Sequence, residues 1–137
     1  SGELFATEAH RIGVTGIVID GYCRDRSVLL SIDLPIYARG SKPSAPGTSA
    51  LPVIQIPLVI ETVTVQPGDY LVGDADGIIV GSVAEFMAVI DRAEEIEKFE
   101  AELRAKIVNG SSLLEHMNYD EHLSALQSGQ ESKLNFS

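Results

Sequence analysis

The chain contains no tryptophan, one cysteine, and only half as many basic as acidic residues, 10 against 20. Each scarcity excludes something. A lone Cys23 rules out an internal disulfide and suits a reducing, cytoplasmic compartment. The shortage of Lys and Arg leaves a formal charge of −10 with no basic cluster, a field that repels a phosphate backbone, so nucleic acid is not an expected partner. No apolar run approaches the ~20 residues that a helix needs to cross a bilayer. No signal peptide is expected either, because the first residues alternate polar and apolar without a basic start. A membrane is therefore not an expected partner. The first residue is Ser1 rather than methionine, as in a processed or truncated product.

What is present fits a folded domain. At 137 residues the chain is long enough to bury a core, and 45% apolar with 22% charged residues is the balance of a globular protein. Leu4, Phe5, Ala9 and Ile12 recur at helical spacing and Gly13 ends that helix. VTGIVID (14–20) is a short, nearly all-apolar run of the kind covered on both faces of a sheet. A brief helix is expected over 24–32, closed by Asp33-Leu34-Pro35, and IYAR (36–39) is a second strand. The stretch 40–52 is rich in Gly, Pro and Ser, a long loop of the kind that is more often functional than accidental. Strands are expected at 53–60, 63–65, 70–74 and 78–82, separated by turn-forming residues. Pro57 implies an edge position or a bulge in the first of them.

After Ser82 the period changes. Val83, Phe86, Met87, Ile90, Ala93, Ile96, Leu103 and Ile107 mark one long amphipathic helix ending before Gly110. Ser82 and Glu85 form a capping-box pattern at its start. Its mixed-charge stretch DRAEEIEKFEAELR reads as a solvated helix face, with a coiled coil as the alternative. Short helices follow at SLLEHM and DEHLSAL. The order is that of an α/β domain with a mixed sheet over residues 1–110 and a helical tail over 111–137.

Arg24 and Asp25 stand just past the apolar run, in VIDGYCRD. One reading is structural: an Asp at a helix start complements the positive end of the helix dipole. The other is a site, because open α/β sheets place ligands beyond the C-terminal ends of their strands. Glu3 lies with 20 residues between it and Arg24, at the start of the preceding helix. A right-handed helix–strand unit brings both element ends to one crevice.

GELFATEA (2–9), GIVIDGYCRD (16–25), LPIYARG (34–40) and VTVQPGDYLVGDADGIIV (63–80) resemble, in order and in register, the RraA-like family. That family includes divalent-metal-dependent 4-hydroxy-4-methyl-2-oxoglutarate / 4-carboxy-4-hydroxy-2-oxoadipate aldolases that also decarboxylate oxaloacetate. The resemblance implies a swivelling β/β/α-type sandwich with a mixed sheet and C-terminal helices. It also implies that Asp25 ligates Mg²⁺ or Mn²⁺, that Glu3 holds metal-bound water, and that Arg24 contacts a small 2-oxo acid substrate. The N–H groups of Leu4 and Phe5 at the helix start would receive the substrate's carboxylate. These assignments suit the chemistry. Mg²⁺ takes one or two carboxylates and keeps several waters. A helix start binds anions, and a guanidinium stabilises charge developing on an enolate oxygen. Retro-aldol cleavage and β-decarboxylation both pass through a pyruvate enolate, so one Lewis-acid site serves both.

The chain departs from the family's pattern in three places. Position 3 is Glu where characterised aldolases often have Asp. Val28 stands where some members carry an acid. The family's N-terminal segment, with strands and a Gly-rich loop, is not matched. The resemblance therefore implies a fragment, or a second chain that supplies that part, within a homotrimer or hexamer whose subunits cover exposed apolar surface. The alternative function is a non-catalytic, ribonuclease-inhibiting binder. Such binders can lose the aspartate of the Arg-Asp pair, and Asp25 is retained.

Other residues carry less. Asp74 and Asp76 lack the spacing of a Ca²⁺ loop and read as a turn. His10, His116 and His122 have no ligand spacing and default to the surface. Cys23 reads as a packed thiol. Arg39 and Lys42 either steer an anionic substrate or lie passively on the surface.

Overall fold

A computed structural model describes residues 1–45, 47 and 49–136. Pro46 and Thr48, in the expected loop over 40–52, lie outside the described residues, as does Ser137 at the end of the tail. The chain forms two compact units, Ser1–Pro67 and Gly68–Ser137. Its α/β class holds. Parallel and antiparallel pairings are both present, carried in three two-stranded ladders. No helix among the described residues is long and apolar enough to cross a membrane.

The first unit opens with helix α1 (Glu3–Arg11), strand β1 (Ile17–Cys23), the single turn α2 (Arg26–Leu29) and strand β2 (Ile36–Ser41). Helix α1 stops where expected, with Gly13 at φ 85° taking the left-handed position past its end. Its buried face is not the expected one. Ala6 and Ala9 are buried, while Leu4, Phe5 and Ile12 are exposed. Small side chains let the helix approach Cys23 and Leu29 closely, and Ala6, Cys23 and Leu29 form the core cluster, flanked by Ile19, Ile32, Ile36 and Ala38.

Strand β1 starts later and runs further than the apolar run suggests. Asp20 and Gly21 do not end it; the parallel register with β2 slips between Ile19 and Tyr22 and then resumes at Tyr22↔Gly40. A glycine at such an irregularity lets the strand bend without losing its direction. Burial alternates along β1, so only the face bearing Ile17, Ile19 and Cys23 is covered. The expectation of cover on both faces fails: Val18 and Tyr22 point away from α1 and remain exposed.

Strands β3 (Leu58–Ile60) and β4 (Val63–Val65) pair as an antiparallel hairpin around Glu61-Thr62. The strand expected over 53–60 is thus reduced to its last three residues. Gln55 adopts φ 56° and Pro57 offers no N–H, so the ladder begins only after both. Between 42 and 57 the described residues contain no helix or strand.

In the second unit, β5 (Tyr70–Gly73) and β6 (Ile78–Gly81) form an antiparallel hairpin. The Asp74 carboxylate accepts the N–H groups of Asp76 and Gly77 at 2.8 and 3.2 Å, which is turn chemistry as read from the sequence. Helix α3 (Val83–Val108) ends before Gly110, which sits at φ 102°. A 3₁₀ turn (Leu113–His116) and helix α4 (Tyr119–Gln127) complete the chain. Asn118 ties the terminal segment down by donating to the Lys133 carbonyl and accepting the Asn135 N–H.

The capping box at the start of α3 is formed: Ser82 Oγ accepts the Glu85 N–H, and the Glu85 carboxylate accepts from the Ser82 N–H at 2.8 Å. The Ser82 hydroxyl and N–H hold the Glu85 carboxyl below the usual carboxylate range. A depressed folded-state value contributes stability above the unfolded value, and this is lost as pH falls through the folded one. Ser82→Ala is expected to cost about 1 kcal/mol at neutral pH. The gap from wild type should narrow as acid protonates Glu85, as read by urea unfolding at several pH values.

Candidate active site

The residues singled out from the sequence converge. Glu3, Leu4, Phe5, Arg24 and Asp25 line one crevice of about 350 Å³ together with Gly2. Two short segments build it, the start of α1 and the turn between β1 and α2.

Asp25 is the hinge of the arrangement. Its backbone is left-handed, φ 57° and ψ 38°, a conformation Asp tolerates better than most residues. Its carbonyl accepts the N–H groups of Val28 and Leu29 and so begins α2. Its side chain does not cap that helix. Oδ2 instead accepts the Glu3 N–H at 3.1 Å, at the start of the other helix, 22 positions away. The carboxylate complements the positive end of α1, not of the helix that follows it.

Arg24 sits beside it, with Nη2 3.9 Å from Asp25 Oδ2 and its side chain 38% exposed. The Arg24 N–H donates to the Ser1 carbonyl at 2.8 Å, which docks the first residues along the site. Among the described residues, Asp25 Oδ1 and the N–H groups of Leu4 and Phe5 have no hydrogen-bond partner, and the Glu3 side chain makes no ion pair. The crevice therefore offers a guanidinium, two free amide donors and two carboxylates at one mouth.

The donor set fits a hard divalent cation. Among the described residues no group of three or more His, Cys, Asp or Glu is disposed to hold a metal. A full protein cage of the kind Ca²⁺ prefers is thus not built, whereas Mg²⁺ and Mn²⁺ bind through one or two carboxylates and fill the rest of their shell with water and substrate oxygens. Asp25 and Glu3 match that requirement.

The remaining residues sort as follows. Arg39 is committed to structure: it pairs with Asp20 on β1 and, at 2.9 Å, with Glu61 in the β3–β4 turn. Both carboxylates raise its basicity. Lys42 Nζ lies 3.8 Å above the Tyr22 ring, a cation–π contact. Neither cation lines the crevice. Cys23 is buried and its thiol donates to the Gly40 carbonyl at 3.4 Å, as a packed thiol does. His10 is exposed, but His116 and His122 are half-buried, with His116 Nε2 and His122 Nδ1 shielded from solvent. Their placement on the surface is thus only partial. Sequence reasoning missed Gly2. The available signal was a glycine directly before an acid-started helix, a position where glycine is accepted as a cap.

Fold and crevice together define a class: an α/β protein that seats a carboxylate and a guanidinium at a helix start, beyond the end of a strand. Comparison with known proteins gives the particular family. Residues 1–80 match the RraA-like family, described as Aldolase/RraA, and the chain belongs to it. It is 31% identical over 119 residues to an uncharacterized protein of Methanocaldococcus jannaschii, covering 87% of this chain and 57% of that one. It is 30% identical over 95 residues to a Halalkalibacterium halodurans protein named "Putative 4-hydroxy-4-methyl-2-oxoglutarate aldolase", covering 69% and 45%. A crystal structure of an uncharacterized Pseudomonas syringae protein superposes with a TM-score of 0.72 at 31% identity, covering 83% of this chain and 57% of that one. The chain spans about half the length of the curated relatives it matches.

Proposed function

We propose that this chain carries the metal- and substrate-binding crevice of a divalent-metal-dependent lyase. Its substrates would be 4-hydroxy-2-oxo acids cleaved by a retro-aldol reaction, with oxaloacetate decarboxylated at the same crevice. The observation that supports this most is the turn of the Asp25 carboxylate onto the α1 start beside Arg24, with Oδ1 free. Asp25 would be the direct ligand of Mg²⁺ or Mn²⁺, and Glu3 would hold its water. When bound, the cation would supply Lewis acidity toward the 2-oxo group.

The chain's own groups account for the rest. The Leu4 and Phe5 N–H groups receive the substrate carboxylate, as free amides at a helix start do. The Arg24 guanidinium faces the 2-oxo oxygen and neutralises negative charge as it develops there, an interaction stronger in the transition state than in the ground state. Homologues named as aldolases favour this reading over a purely protein-binding role, and the retained Asp25 agrees. A trimeric or hexameric assembly, with a further segment completing the crevice, belongs to the same proposal.

The test is direct. With Mg²⁺ and oxaloacetate, pyruvate is expected to form above the spontaneous background. EDTA should abolish it and excess Mn²⁺ should restore it. Pyruvate formation indifferent to EDTA would defeat the proposal.

A further inference from the structure

Gly2 is the one residue lining the crevice that contributes no side chain. Its backbone is extended, φ −147° and ψ −171°, a conformation open to any residue, so chain geometry does not call for glycine there. Space does. A Cβ at position 2 would lie 2.6 Å from Asp25 Oδ2 and 3.5 Å from both Nε and Nη2 of Arg24.

Something must yield to such an atom, and the surroundings decide what. The backbone around Gly2 is pinned on both sides. The Ser1 carbonyl accepts the Arg24 N–H at 2.8 Å, and the Gly2 carbonyl accepts the Ala6 N–H at 3.1 Å. The Asp25 carboxylate is the end of a side chain with rotatable torsions, held on this side by the Glu3 N–H. The carboxylate therefore turns away and its hydrogen bond to the α1 start breaks.

We infer that Gly2 is a positioning residue: the missing Cβ makes the seat in which the Asp25 carboxylate rests on the start of α1, beside Arg24 and with Oδ1 turned out for a cation. This deepens the proposed function and rests on its reading of Asp25 as the ligand. Gly2→Ala is then a selective lesion. A Gly→Ala change in extended backbone is neutral or stabilising through the unfolded chain, so the fold should survive it. Loss of the seat acts on the ligand alone, and displacing a group that orients a metal ligand typically costs about 10- to 100-fold in metal affinity.

The experiment compares wild type, Gly2→Ala and Asp25→Asn as full chains. It uses the amide spectrum of ¹⁵N-labelled protein, the thermal transition, and Mn²⁺ titration. Gly2→Ala should shift the Glu3 amide in the direction Asp25→Asn shifts it and further, because Asn leaves a weaker, neutral acceptor in place whereas Gly2→Ala breaks the bond. It should leave the other α1 amides and the thermal transition near wild type, and weaken Mn²⁺ by about 10-fold or more. An unmoved Glu3 amide in Gly2→Ala, or Mn²⁺ affinity equal to wild type, overturns the inference while the proposed function stands. Wild type that binds no Mn²⁺ defeats the proposed function instead. A Glu3 amide that still moves in Gly2→Ala then upholds the carboxylate seat.

Discussion

Asp25→Asn is expected to lower Mg²⁺ or Mn²⁺ affinity by more than about 100-fold and to remove metal-dependent pyruvate formation with it. Loss of a group that merely orients a ligand costs about 10- to 100-fold, and loss of the ligand's charge costs more. Asparagine is the informative replacement. Asp25 sits at φ 57°, where Asn is well tolerated and Ala is strained by roughly 1–2 kcal/mol. Asn also keeps an acceptor within reach of the Glu3 N–H. Calorimetric Mn²⁺ titration and a coupled pyruvate assay measure the two effects, and urea unfolding should show stability close to wild type. A variant that turns over oxaloacetate at the wild-type rate would remove the carboxylate from the mechanism.

Arg24→Lys should cost about 100-fold in kcat/KM despite conserving the charge. The guanidinium presents several donors in a rigid plane, while an ammonium is a point charge on a flexible stem. On the proposed role of Arg24, only the former would hold its place beside the carboxylate while facing a developing oxyanion. That interaction would strengthen in the transition state, so the loss should appear mainly in kcat. Mn²⁺ affinity should change far less, since Arg24 offers the cation nothing. Steady-state kinetics beside a Mn²⁺ titration separates the two. A fall confined to metal affinity would assign Arg24 to holding Asp25 and not to the substrate.

Much of the architecture was legible in the chain itself, and the elements show why. The Ser82–Glu85 cap, the end of α3 before Gly110, the Asp74 turn and the stop of α1 at Gly13 all depend on residues within about four positions of one another. Chemistry at that range is written in the order of side chains. The misreadings share the opposite property. The apolar stripe Leu4, Phe5 and Ile12 looked like a buried face, yet Ala6 and Ala9 are the buried residues, with Ala6 packed against Cys23 and Leu29. The run 14–20 looked covered on both faces, yet a partner element packs on only one. Pro57 marks an interruption in the run 53–60, and Gln55, which also leaves the strand conformation, shortens the strand to its last three residues.

The candidate site divides along the same line. Residue types and their spacing determined that an acid, an arginine and an aspartate would meet where a helix start and a strand end converge. Packing decided which way Asp25 turns, that Arg39 is spent on Asp20 and Glu61, and that Gly2 leaves the space the carboxylate occupies. The reason is distance along the chain. A hydrogen bond across 22 positions exists only once a helix, a strand and a left-handed residue have been assembled, and no local preference encodes the outcome.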